Sequence, residues 1–231
     1  MNIGRLRCAF PERRIDHYPT IDSTMRAAAG LPHGAIVIAD EQTAGQGRHG
    51  HSWHSPPACG LYCSLVLAPT PLLTLALGLA VAEAIAVPCD LRWPNDVLLG
   101  GLKVAGILVQ LAGGDAIAGI GINTGPMYFP PALAAEATSL ANEGVTTTRE
   151  DLLIALLPAI DRFTALAPND ILRLFAVGSS YVAGRRVTVR QPGGVIEGIT
   201  AGLDPDGFLV VRRDDGTDTL IVAGGVRAVG S

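Results

Sequence analysis

The sequence predicts an α+β fold, and three observations carry the prediction. β-Branched apolar runs alternate with helix-like stretches through the first part of the chain. Paired glycines, Gly100-Gly101 and Gly113-Gly114, cut the middle into hairpin-sized pieces. From about Ala183 the texture changes to short valine-rich runs between Pro-Gly, Asp-Gly and Gly-Gly turns, which reads as a small all-β unit. The expected division is 1–182 and 183–231. The second unit is barely large enough to stand alone, so it is expected to pack on the first.

Taken in order, the elements follow from local chemistry. In "IDSTMRAAAG", Asp22, Ser23 and Thr24 offer cap oxygens and Gly30 a stop, so a short helix is expected. "GAIVIAD" and "GLYCSLVLA" are buried strands. Pro71 to Pro88 brackets an alanine-rich run that includes Glu83; it reads as a buried helix, too short for a comfortable membrane span. The glycine pairs then mark hairpins. In "TTTREDLLIALLPAIDRFTAL", Thr147 and Glu150 have capping-box spacing, and Pro158 predicts a kink or break. "PNDILRLFAVGSSYV" is the last expected helix.

Composition narrows the classes. Of 231 residues, 48% are hydrophobic and 16% charged, as in a globular core-former rather than a disordered chain. The net charge of −4 argues against a nucleic-acid coat. Four sparse cysteines, without scaffold spacing, read as reduced thiols, and the first twenty residues hold no apolar signal core. A cytoplasmic protein is expected, with no membrane partner.

The stretch "EQTAGQGRHGHSWHSP", Glu41 to Pro56, asks for chemistry. Gly45, Gly47 and Gly50 match G-x-G-x-x-G, but "HSWHSPP" follows where a helix must start, so a dinucleotide fold is disfavoured. Kinase signatures are absent. His49, His51, His54, Cys59 and Cys63 are zinc-type donors without a common zinc spacing. An anion-binding loop built on glycine N–H groups and Arg48, or a plain hairpin turn, both remain open on this stretch alone.

Further stretches break the tie: "DSTM", "RWPND" from Arg92 to Asp96, "GLKVAGILVQ" with Lys103, and "GIGINTG" from Gly119 to Gly125. In this order and spacing, from about Asp22 through the β tail, the chain resembles the biotin protein ligases. The resemblance implies a mixed sheet backed by helices, of the class II aminoacyl-tRNA synthetase kind, followed by a small SH3-like β barrel. It implies ATP-dependent formation of biotinyl-adenylate, then transfer of biotin to a lysine of a carboxylase's biotin carrier domain.

By the same resemblance, Arg48 and Lys103 are catalytic, consistent with a reaction that brings anions together. Ser23, Thr24, Gln42 and Gly45 are implied at biotin, with Arg48, Lys103, Gly106, Leu108 and Gly119. Gln46, Gly47, Trp53, Asn95, Asp96, Ile122 and Asn123 are implied at ATP, and Asp96 as the Mg2+ ligand. The glycine loop is then expected to order over the adenylate and exclude water.

The departures are specific. Gln46 and His51 stand where the family often has arginines, Met25 where asparagine is common, and Arg227 is out of register with a C-terminal arginine. Only about twenty residues precede Asp22, too few for the DNA-binding module of bifunctional members, so no repressor role is expected. An edge strand near "GDAIAGIGIN" is a possible homodimer contact. The rival readings are lipoate or octanoate attachment, and a zinc-binding or adaptor protein.

Overall fold

A computed structural model describes residues 1–191 and 193–229. The larger sheet has seven strands in the order β1-β2-β3-β7-β6-β5-β4. These are β1 (Ile15–Tyr18), β2 (Ile36–Ala39), β3 (Gly60–Leu67), β4 (Asp90–Arg92), β5 (Asp96–Leu99), β6 (Leu102–Ala112) and β7 (Asp115–Asn123). Only β1 and β2 run parallel; the other neighbours are antiparallel, so the sheet is mixed as expected. Both glycine pairs have positive φ and form the two-residue connections β5–β6 and β6–β7.

One face of this sheet is greasy throughout. Even-numbered β7 residues, Ala116, Ala118, Ile120 and Ile122, join Leu61, Cys63, Leu65 and Ile107 in the main core. Helices α3 (Leu73–Ile85), α5 (Arg149–Thr164) and α6 (Pro168–Val177) cover it. Helix α3 buries ten of its 13 residues, which is why its sequence is apolar on nearly all sides. Each large side chain so buried contributes about 1.5–3 kcal/mol before ordering costs.

The other face is different. Ile117 packs with Met25 and Ala28 of α2 (Thr24–Ala28) and with Val37 and Val66. The next odd positions of β7 are Gly119 and Gly121, so this face loses its side chains and leaves a trough.

Several expectations are corrected. The α5 cap is Thr148, whose Oγ1 accepts from the Asp151 N–H, one residue later than the Thr147–Glu150 spacing suggested. The run of three threonines allows either register. Helix α5 also continues through Pro158; that residue is exposed, so the carbonyl deprived of its donor faces water. The expected edge near "GDAIAGIGIN" is β7, which is paired on both sides by β3 and β6. Besides the terminal strands β1 and β4, an open edge lies on β6 beyond Ile107, where β5 has no further residues to pair. Helix α1 (Ile3–Ala9), capped by Asn2, strand β1 and the one-turn α4 (Pro131–Ala134) were not anticipated.

The smaller sheet holds β8 (Ala183–Gln191), β9 (Gly194–Leu203), β10 (Leu209–Arg212), β11 (Asp218–Ile221) and β12 (Gly225–Ala228). It is antiparallel, ordered β11-β10-β9-β8-β12. The SH3-like barrel is thus seen as a five-stranded sheet, with no β11–β12 ladder among the described residues to close it. Its Val187, Val189, Leu209, Val211 and Ile221 belong to the main core. Trp93 Nε1 donates to the Gly207 carbonyl at 2.8 Å, a buried tie between the sheets. The expected turn at Pro192 and the terminal Gly230 and Ser231 lie outside the described residues.

Candidate active site

The trough floor is made by Gly106, Gly119 and Gly121. Gly106 of β6 lies opposite Gly121 of β7, and Leu108 opposite Gly119. Trp53 lies flat on this floor: a Cβ on Gly106 would come within 2.8 Å of the indole, and one on Gly121 closer still. At Gly119 a Cβ would meet Met25 Sδ at 2.7 Å. The absent side chains therefore make room for an aromatic ring and a thioether.

One end of the trough is neutral and hydrogen-bonded. Thr24, buried, donates both its N–H and its hydroxyl to Gln42 Oε1, at 2.9 and 3.0 Å. Ser64 Oγ lies 2.8 Å from Thr24 Oγ1. Gln42 Nε2 donates to Ser55 Oγ at 3.0 Å, and Ser55 donates to the Trp53 carbonyl at 3.2 Å. Ser23 is fully buried, and its Oγ has no partner. A buried hydroxyl without a partner costs about 1–3 kcal/mol, so this one stands out in an otherwise paired network.

The other end is ionic. Arg92 donates from Nε and Nη2 to Asp96 Oδ2, at 3.2 and 2.7 Å. Lys103 Nζ stands 2.5 Å from Asp96 Oδ1, a close ion pair without hydrogen-bond alignment, since that oxygen has no aligned donor. Burial alone would push the Asp96 carboxyl up; Lys103 and Arg92 overcome it and hold it below the usual carboxylate range. Lys103 also sits 5.2 Å from the Trp53 ring centroid. Arg48 Nη1 donates to Asn95 Oδ1 at 3.1 Å and to the Gly224 carbonyl of the small sheet at 3.3 Å. Burial lowers the Arg48 guanidinium, with Asp96 pulling it partly back.

The fold brings most expected residues to one place. Ser23, Thr24, Gln42, Gly45, Arg48, Trp53, Asn95, Asp96, Lys103, Gly106, Leu108 and Gly119 border the trough or contact residues that do. Gln46 bridges Ser52, and Gly47 N–H donates to the His51 carbonyl at 2.7 Å, so the loop is folded on itself. The Ile122 side chain lies in the core on the opposite face, which leaves its main chain for the role expected of it. Asn123 spends its amide on the Thr138 carbonyl at 2.9 Å. Asp96 does not fit a metal here, since both oxygens already face cations. Among the described residues no three acidic, histidine or cysteine side chains form a metal-holding group. The zinc donors do not converge either, and burial pushes the Cys63 thiol up to about 12. Arg92, Ser55 and Ser64 were missed. Ser64 did carry a signal, a hydroxyl inside an otherwise apolar strand.

Sequence profiles match in two places: the biotin/lipoate A/B protein ligase family over residues 14–126, and the biotin protein ligase C-terminal domain over residues 182–226. The biotin–[acetyl-CoA-carboxylase] ligase of Mycobacterium tuberculosis is 34% identical, over 88% of this chain and 82% of that protein. The chain belongs to the biotin protein ligase family. Among solved relatives, the biotin protein ligase of Aquifex aeolicus in complex with biotin and ATP superposes with a TM-score of 0.81 at 29% identity. That match covers 93% of this chain and 97% of the other. The Leishmania major biotin protein ligase in complex with biotinyl-5-AMP gives 0.63 at 26% identity, over 92% and 99% of the two chains.

Proposed function

We propose that this protein is an ATP-dependent biotin–protein ligase. The observation that carries the reading is one trough with a neutral hydrogen-bonding end and a cationic end. A uncharged ring with a carboxylate tail fits that polarity, ring toward Ser23, Thr24 and Gln42, tail toward Lys103 and Arg48. In the first step a carboxylate oxygen of biotin attacks the α-phosphorus of ATP, and pyrophosphate leaves. In the second an acceptor lysine amine attacks the acyl carbonyl, and AMP leaves.

Neither step needs a covalent enzyme intermediate, so catalysis is positioning and charge. Lys103 exchanges the Asp96 carboxylate for the developing oxyanion, and Arg48 holds the phosphate as the loop closes. Trp53 is proposed to flank the adenylate from the glycine floor. Magnesium is read as a companion of the nucleotide phosphates, held by their oxygens rather than by Asp96.

The acceptor is proposed to be the biotin carrier domain of an acetyl-CoA or related carboxylase, met in the cytoplasm, where four free thiols suit a reducing compartment. The proposed units are 1–182 for catalysis and 183–231 for the C-terminal sheet. No nucleic acid partner is proposed, and a homodimer through a strand edge would use β6. No helix among the described residues is long and apolar enough to cross a membrane.

The test is pyrophosphate exchange into ATP with biotin and lipoate side by side. Biotin-dependent exchange is expected. Exchange with lipoate alone would move the protein to lipoate attachment, and none with either would remove the ligase reading.

A further inference from the structure

The hydrogen bonds of the neutral end have a direction. Thr24 has one hydroxyl hydrogen and gives it to Gln42 Oε1, so Ser64 must be the donor across the 2.8 Å contact. Gln42 then passes the polarity on, oxygen toward Thr24 and nitrogen toward Ser55. Ser55 accepts from Gln42 and gives its own hydrogen to the Trp53 carbonyl. Thr24, Ser64 and Ser55 each have one hydroxyl hydrogen to give, and the Gln42 amide commits one of its two to Ser55. Turning the Gln42 carboxamide over would set its NH2 against the Thr24 N–H, and Ser55 would have to take its hydrogen off the Trp53 carbonyl to meet Oε1.

The same residue closes the base of the glycine–arginine loop. Gln42 N–H donates to the Ser55 carbonyl at 3.2 Å, and Trp53 N–H to the Gly45 carbonyl at 2.9 Å. Gly45 is buried in the gap, where a Cβ would meet Ser55 Oγ at 2.9 Å and Gln42 Nε2 at 3.1 Å. Ser55, 5% exposed, is thus the point where the ring-pocket chain and the loop stem meet.

We propose that Ser55 is a positioning residue that couples filling of the ring pocket to ordering of the loop that carries Arg48 and Trp53. The inference rests on the biotin ligase reading. A ring held by Ser23, Thr24 and Gln42 pins the Gln42 carboxamide. Pinned Gln42 keeps Nε2 on Ser55, Ser55 keeps its hydrogen on Trp53, and Trp53 holds the loop's returning arm on the glycine floor. Ser64, at the far end of the chain, tunes the pocket but has no contact with the loop.

The experiment uses the full chain, with trypsin cleavage after Arg48 followed by mass spectrometry, without ATP, with and without saturating biotin. Wild type should be protected roughly 3- to 10-fold by biotin, the scale of one hydrogen bond. Ser55→Ala should still bind biotin by calorimetry but gain no protection at saturation. Ser55→Thr, which keeps the hydroxyl, should regain it. Ser64→Ala should need more biotin yet reach full protection once saturated. Protection of Ser55→Ala equal to wild type, or loss of protection in saturated Ser64→Ala, overturns the coupling. So does a wild type that binds biotin without protecting Arg48. If Ser55→Ala does not fold, Ser55→Cys, similar in size and a weak donor, carries the same comparison. A wild type that binds no biotin at all would instead remove the functional reading, and the coupling with it.

Discussion

At the Ser23 end of the trough every polar group sits on a neutral partner except one hydroxyl, whereas at the Lys103 end a buried carboxylate is shared between two cations. The first end leaves one buried hydroxyl unpartnered. The second is already charge-balanced, so an anionic ligand would have to compete with Asp96 for Lys103. The difference teaches where binding selectivity and where stored charge reside. Neutral groups cost little to hold ready, while an unpaired buried cation would lower stability, and Asp96 supplies that counter-charge.

The sharpest way to break this comparison is Asp96→Asn. It leaves Lys103 and Arg92 without their counter-charge, and about 3–5 kcal/mol of folding stability should be lost near pH 7. The folded Asp96 carboxyl is held below its unfolded value, so its contribution is present above the ordinary carboxylate range and lost as pH falls through the folded value. Denaturant midpoints for both proteins should therefore converge only in strong acid. A gap that stays constant with pH would sink the ion-pair account.

Lys103→Ala comes next. It should cost about 100- to 1000-fold in adenylate formation, the scale of one lost oxyanion donor, with the fold intact. Near-normal turnover would place the charge elsewhere. Gly121→Ala tests the floor: its methyl would displace the indole, and overpacking of this kind costs about 1–3 kcal/mol. Unchanged Trp53 emission would count against the stacking described.

Arg48→Gly should speed release of biotinyl-adenylate by roughly tenfold or more, the scale of one charged hydrogen bond. Biotin labelling of a non-acceptor protein reads this out, and equal labelling by both enzymes would argue against the loop as a gate. The smallest effect is the most pointed. Ser23→Ala removes a buried hydroxyl that has no partner, so the free protein should gain up to about 1 kcal/mol while biotin binds roughly 3- to 10-fold more weakly. Loss of both stability and affinity would mean that Ser23 already has a structural partner.

Much of this was legible in the sequence, for local reasons. "GAIVIAD" and "GLYCSLVLA" are strands because their apolar runs fill a doubly covered sheet, and the two glycine pairs are turns because both residues of each need positive φ. The place of the neutral end could be read from "DSTM" and "EQTAGQG" once the family resemblance was in hand. What could not be read was long-range. Asp96 reads as a turn residue after Pro94, and nothing local says that Arg92, across the β4–β5 hairpin, will share it with Lys103. The centrality of β7 depends on β3 pairing with it across the 47 residues from 68 to 114 that separate them. Ser55 sits in a polar loop where one serine resembles any other, and only its four-way meeting with Gln42, Trp53 and Gly45 sets it apart.

The tie between Trp93 and the Gly207 carbonyl has a practical consequence. The chain has two tryptophans. Trp93, 3% exposed, is wedged where the two sheets join, and Trp53 lies on the glycine floor beside the Lys103 ammonium. Their optical signals are thus divided by region: Trp93 emission should shift when the small sheet detaches, and Trp53 emission should respond to ligands. With Trp93→Phe and Trp53→Phe as single-reporter proteins, ligand binding and detachment of the small sheet can be followed separately, each on its own variant, without any attached dye.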